Sequence, residues 1–223
     1  MTEKLWKMVQ NMKCDKSILR LYAVTDRSWL NGETLETQIE KSLKGGITCL
    51  QLREKNMSDD EFLNEAIKIK QLCKKYSVPF IINDNIYVAK ECKADGIHVG
   101  QNDMIASDVR KVLGNDIILG VSVQTVEQAV LAQQMGADYL GVGAVFSTST
   151  KPDADSVSLK TLKDICKSVS IPVVAIGGIT EDNLSQLKDS GICGVALVSA
   201  IFASKDIEYT CKKLYKTIGD VTL

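Results

Sequence analysis

Eight short runs rich in Val, Ile and Leu recur along this 223-residue chain, each parted from the next by a segment with helical apolar spacing. The runs cover 19–25, 48–53, 80–82, 96–99, 117–121, 139–142, 173–176 and 194–198. Short, nearly unbroken apolar runs are what parallel strands need when both faces are buried. Helical patterns lie between them, as at 62–73, 109–113, 126–135 and 159–166. Glycine near the helix ends (Gly45-Gly46, Gly96, Gly136, Gly191) supplies the left-handed C-cap conformation. Pro79 and Pro172 mark two further passages into strands.

Eight strands, each followed by a helix, predict a fold of the α/β class, a (β/α)8 TIM barrel. The expected organisation is one domain over 1–223. Residues 1–16 form an extra amphipathic helix that covers the lower end, and 17–223 form the barrel. An open doubly wound sheet is the rival. Its glycine-rich fingerprint is approached only by Gly141-Val-Gly143-Ala-Val-Phe146, which lacks the third glycine and follows the sixth run.

Charge and composition narrow the function. A net charge of −1 argues against general nucleic-acid binding. No apolar run reaches the length of a membrane span, and the first residues hold no signal-peptide core. Seven scattered cysteines without a Cys-x-x-Cys pair read as reduced thiols, hence a cytoplasmic protein. A single histidine, His98, excludes multi-histidine metal sites, so any metal is expected to be a hard cation on oxygen ligands.

Barrel enzymes place their chemistry at the C-terminal ends of the strands. After the second run, Gln51, Arg53 and Lys55 share one strand face while Leu50 and Leu52 share the other. Two cations and an amide converging there predict an anion site. Asn83-Asp84 follows the third run and Asp103 follows the fourth. Asp84 alone reads as a helix N-cap, but paired with Asp103 it suits Mg2+, which takes few carboxylates and completes its shell from water and phosphate. Ser122 follows the fifth run. Gly177-Gly178 and Val198-Ser199 follow the last two, where barrels often bind phosphate. The aperiodic stretch 143–156 carries Thr148, Thr150 and Lys151 and reads as a binding loop. Two anion sites, one assisted by Mg2+, suit a pyrophosphate and a monophosphate held together. That arrangement fits the joining of two substrates with pyrophosphate leaving.

The motifs Gln51-Leu-Arg-Glu-Lys55, Asn83-Asp84, His98-Val-Gly-Gln-x-Asp103, Gly120-Val-Ser122, Thr148-x-Thr-Lys151, Ile176-Gly-Gly-Ile179 and Val198-Ser199 resemble those of thiamine-phosphate synthases. The resemblance runs from Tyr22 almost to the C-terminus. It implies a Mg2+-dependent transferase that joins a hydroxymethylpyrimidine diphosphate to a thiazole phosphate, or its carboxylated form. The products are thiamine monophosphate and pyrophosphate. It further implies that Asp84 and Asp103 bind Mg2+. Gln51, Arg53, Lys55, Asn83, Ser122 and Lys151 would hold the pyrimidine diphosphate, with Arg53, Lys55, Ser122 and Lys151 catalytic. Thr148, Ser149, Thr150, Gly178, Val198 and Ser199 would hold the thiazole phosphate. The implied partners are two small phosphorylated substrates, with neither nucleic acid nor membrane; a homo-oligomer is left open. Gln124 stands where many members have histidine, and Ser147 where proline often precedes the loop.

Two rival readings remain. A thiazole tautomerase on the same scaffold would need the monophosphate site but not the diphosphate apparatus. A non-catalytic thiazole-phosphate sensor would need no ligands for a leaving group. Trp29, in the loop after the first run, is expected to pack, with a cover over the pyrimidine as the lesser alternative.

Overall fold

The computed structural model describes residues 14–100, 106–147 and 156–222. Its strands are β1 (Leu21–Val24), β2 (Cys49–Leu52), β3 (Phe80–Asn83), β4 (Gly96–Val99), β5 (Ile118–Val123), β6 (Tyr139–Val142), β7 (Val173–Ile176) and β8 (Gly194–Leu197). They close into a parallel barrel in chain order, with β8 pairing β1. The described helices are α1 (Leu35–Lys44), α2 (Asp59–Lys75), α3 (Ile86–Glu91), α4 (Ala106–Leu113), α5 (Val126–Gln134), α6 (Leu159–Ser168), α7 (Ser199–Phe202) and α8 (Ile207–Gly219). The expected barrel is therefore present. The expected amino-terminal helix lies almost wholly outside the described residues. At the lower end, Cys14 and Leu19 pack with the interior residues Cys49 and Cys193.

Alternation along each strand divides the core in two. Leu21, Ala23, Leu50, Leu52, Ile82 and Leu140 belong to the layer between barrel and helices. Tyr22, Val24, Cys49, Ile81, Tyr139, Val174 and Ala196 fill the interior. Inward positions on β4, β5, β6 and β8 include Gly96, Gly120, Gly141 and Gly194; the first three make room for neighbouring side chains, and Gly194 for the Leu19–Arg20 backbone. A Cβ on Gly120 would overlap both the Tyr139 ring and His98 Nδ1, and one on Gly141 would lie 3.0 Å from His98 Cε1. Gly141 and Gly143 thus serve barrel packing and not a nucleotide loop; a Cβ on Gly143 would overlap the Ile176 carbonyl.

Four details depart from expectation. Ser122 lies within β5, because that strand runs on to Val123. Asn85, not Asp84, caps α3, with its Oδ1 accepting from Val88 N at 2.9 Å. Gly96 is no helix cap: Lys93 takes the left-handed position, and Gly96 is needed because a Cβ would strike Ile81 and the Ile118 carbonyl. Between β7 and β8 the described chain forms only a 3-10 turn, Leu184–Leu187. Its buried Leu184 and Leu187 are three residues apart, a spacing that turn presents on one face.

Gly120→Ala should destabilise the fold by about 1–3 kcal/mol through overpacking. Urea denaturation of the full chain reads this directly; an unchanged midpoint would mean that the interior has slack at this position.

Candidate active site

Gln51, Asn83, His98 and Ser122 sit on four successive strands, β2 to β5, all with inward parity. They form the floor of the barrel mouth. Gln51 is buried, and its Nε2 donates to Tyr22 Oη at 2.7 Å. Tyr22 Oη lies 2.8 Å from Tyr139 Oη, which lies 2.9 Å from His98 Nδ1. His98 Nε2 lies 2.9 Å from Ser122 Oγ. Burial pushes both phenols well above their ordinary pKa, so they stay protonated.

Above this floor stand the cations. The Arg53 backbone N–H donates to Thr25 Oγ1 at 3.0 Å, and its guanidinium lies 3.4 Å from Asp26 Oδ2. The Arg53 side chain keeps 21% of its surface exposed. Lys55 Nζ lies 2.9 Å from Asp84 Oδ2, with half of its side chain in solvent. Asp84 takes φ +60, a left-handed conformation that aspartate tolerates, and its N–H donates to the His98 carbonyl at 2.9 Å. Glu54 points the other way, as the leucine-face parity requires. Arg27 Nε bonds it at 2.9 Å, and Arg27 Nη2 reaches Glu65 on α2 at 2.9 Å. Burial pushes the Glu54 carboxyl up, against the opposing pull of Arg27. Trp29 packs partly buried against the main core, as expected of a packing residue.

Across the mouth, Gly177 and Gly178 both take positive φ, +94 and +64. A Cβ on Gly178 would overlap the backbone of Phe146 and Ser147, so this turn and the start of the β6–α6 connection are packed main chain to main chain. Asn183 Nδ2 holds the Gly178 carbonyl at 2.9 Å. Val198 is the N-cap of α7 and supplies no side-chain bond to it, and Ser199 opens that helix. β7 pairs β8, so these two turns are neighbours.

Asp103, Thr148, Ser149, Thr150 and Lys151 lie outside the described residues. Of the rest, the structure brings Gln51, Arg53, Lys55, Asn83, Asp84 and Ser122 to one side of the mouth and Gly178, Val198 and Ser199 to the other. Sequence reasoning assigned no role to Tyr22, Tyr139 or Asp26. The inward parity of both tyrosines was the available signal, although a buried tyrosine in a strand ordinarily reads as core.

A closed parallel barrel whose paired cations and small turns gather at its C-terminal mouth has the architecture of a (β/α)8 enzyme. The family model described as thiamine monophosphate synthase matches residues 21–201. The thiamine-phosphate synthase of Ruminiclostridium cellulolyticum is 54% identical over 194 residues, covering 87% of this chain and 92% of its own. That of Methanobrevibacter smithii is 50% identical over 198 residues, covering 89% and 94%. The solved thiamine phosphate pyrophosphorylase of Pyrococcus furiosus superposes with a TM-score of 0.86 at 35% identity, covering 92% of this chain and 98% of that one. The chain belongs to the thiamine monophosphate synthase family. Its activity is thiamine-phosphate synthesis, a transferase reaction of thiamine biosynthesis. No helix among the described residues is long and apolar enough to cross a membrane.

No thiol belongs to this site. Burial pushes Cys73, Cys166 and Cys211 up to about 12 and Cys193 up to about 11. Thiolate is the reactive form, so the folded protein should react slowly with a disulfide reagent at about pH 8. Seven thiols per chain should titrate once it is unfolded. A fast-reacting thiol in the native protein would contradict the burial.

Proposed function

We propose that the chain carries out the Mg2+-dependent condensation of hydroxymethylpyrimidine diphosphate with thiazole phosphate. The observation that carries this reading is the pair of held cations: Arg53 against Asp26 and Lys55 against Asp84, on adjacent strand ends above one polar floor. Each cation is oriented by a carboxylate and still reaches solvent, which suits groups that receive a diphosphate.

In this reading Arg53 and Lys55 hold the diphosphate, joined by Lys151 from the 148–155 segment. Gln51, Asn83 and Ser122 orient the pyrimidine over the floor. Gly178, Val198 and Ser199, with Thr148, Ser149 and Thr150, hold the thiazole phosphate on the opposite side. Asp84 offers the hard oxygen that Mg2+ prefers, at a partly open strand end, and Asp103 would complete the pair. When bound, the ion adds positive charge beside the phosphate oxygens.

The chemistry needs no enzymic nucleophile. The aminopyrimidine donates electron density to its exocyclic methylene as the C–O bond breaks and pyrophosphate departs. The thiazole nitrogen then shares its lone pair with that carbon, forming the C–N bond and the thiazolium charge. The protein's part is to stabilise the negative charge that builds on pyrophosphate and to keep two partners in contact. Seven free thiols, six of them buried, support a cytoplasmic setting.

Mixing both substrates with Mg2+ and following pyrophosphate tests the reading. Release that requires the thiazole phosphate is expected; release without it, or none, would reject the condensation and favour the tautomerase or sensor alternatives. Arg53→Ala should lower kcat/KM by about 100- to 1000-fold, the scale of losing one contact to a developing oxyanion. Asp84→Ala should remove most activity and the response to added Mg2+. Undiminished wild-type turnover in excess chelator would remove the metal from the reaction.

A further inference from the structure

We propose that Tyr22 and Tyr139 are positioning residues. Together with His98 they form a directional hydrogen-bond relay, which sets how Gln51 and Ser122 present their polar atoms to the pyrimidine. The proposal rests on the substrate reading above and adds to it a device that orients the substrate from inside the barrel.

Donor counting anchors the direction at its Gln51 end, and the relay carries it on from there. The Gln51 amide nitrogen only donates, so Tyr22 Oη accepts from it at 2.7 Å. The relay assigns the one remaining proton of Tyr22 to Tyr139 Oη, 2.8 Å away. The Tyr139 proton in turn goes to His98 Nδ1, 2.9 Å away. With Nδ1 accepting, the neutral imidazole carries its proton on Nε2 and donates to Ser122 Oγ, 2.9 Å away. The Ser122 hydroxyl hydrogen is thereby directed to an acceptor other than the imidazole. At the opposite end the Gln51 carbonyl oxygen makes no hydrogen bond to the described residues and offers an acceptor at the floor. One chain thus sets an acceptor on β2 and the donor direction of a hydroxyl on β5.

Packing holds the relay in place independently of these bonds. Tyr22 and Tyr139 are the largest fully buried side chains, and their rings meet edge to face with centroids 6.0 Å apart. Gly120 and Gly141 leave the space that Tyr139 and His98 occupy. Such an interior polar chain strengthens cooperatively, and breaking one link leaves a buried group unpaired. An apolar filling of the same volume would avoid that cost, so the retained hydroxyls point to a directional role.

The protein has a single histidine, so nitrogen-15 labelling of histidine reports the His98 tautomer without ambiguity. The full-length wild type, without substrate, is expected to show the Nε2–H tautomer. Tyr139→Phe should mix the two tautomers. Tyr22→Phe, which breaks the chain one link earlier, should keep Nε2–H. In the condensation assay both variants should lower kcat/KM for the pyrimidine diphosphate by about tenfold, the scale of one hydrogen bond, and leave KM for the thiazole phosphate unchanged. An Nδ1–H wild type, or a tautomer unmoved by Tyr139→Phe, would overturn the relay. Equal losses toward both substrates would also overturn it, because they would mark a merely structural role. A wild type without condensation activity would reject the substrate reading, and the tautomer measurement would still judge the relay.

Discussion

A hydrogen bond of 2.8 Å between two phenols, Tyr22 and Tyr139, spans the barrel interior, and the mouth is built on it. A barrel of eight strands has only enough interior for its own side chains. Tyr139 and His98 fit this one because Gly120 and Gly141 take inward positions beside them. The polar tips of the large residues must then find partners within the barrel. They find them in one another, and the last links, Gln51 and Ser122, reach the floor where ligands arrive. Packing and polarity at the site are one constraint.

The charged groups above the floor obey a different rule. Arg53 and Lys55 are each held by a carboxylate, at 3.4 and 2.9 Å. The Lys55–Asp84 pair is half in solvent, and such pairs are weak; at 3.4 Å the Arg53–Asp26 contact is the longer of the two. An incoming diphosphate that replaces the carboxylates therefore gives up little and gains contacts to groups already in place. Glu54 illustrates the contrast. It is nearly buried, bonded by both oxygens to Arg27, and belongs to the frame that ties the β1 loop to α2. Gln-Leu-Arg-Glu-Lys thus carries frame and site on alternate residues.

Most of this was legible in the sequence. The strand runs, the barrel and the split of Leu50 and Leu52 from Gln51 follow from alternation and burial alone. The misreadings share a cause: local patterns were given local meanings. Gly96 looked like a helix cap but answers to the neighbouring strands. A helix was expected after every strand, but between β7 and β8 Leu184 and Leu187 satisfy only one short turn. Ser122 reads as lying beyond β5, although pairing with β6 carries β5 through it to Val123. The tyrosine relay was hidden for the same reason. It joins residues 117 positions apart, and nothing in either local window distinguishes a relay tyrosine from a core one.

Asp84 shows how a local conformation can redirect a side chain that alternation would send elsewhere. Asn83 has inward parity, so a continuing strand would turn Asp84 outward, toward the helices. At φ +60 the chain leaves the strand conformation at that residue. The backbone N–H still serves the ladder through the His98 carbonyl, while the carboxylate meets Lys55, on the inward side of β2's continuation. Left-handed backbone at a residue other than glycine costs about 1–3 kcal/mol, with aspartate among the least penalised. Asn85 then caps α3 and relieves Asp84 of the role its position suggested. By dividing capping and site chemistry between adjacent residues, the chain keeps the carboxylate available at the mouth.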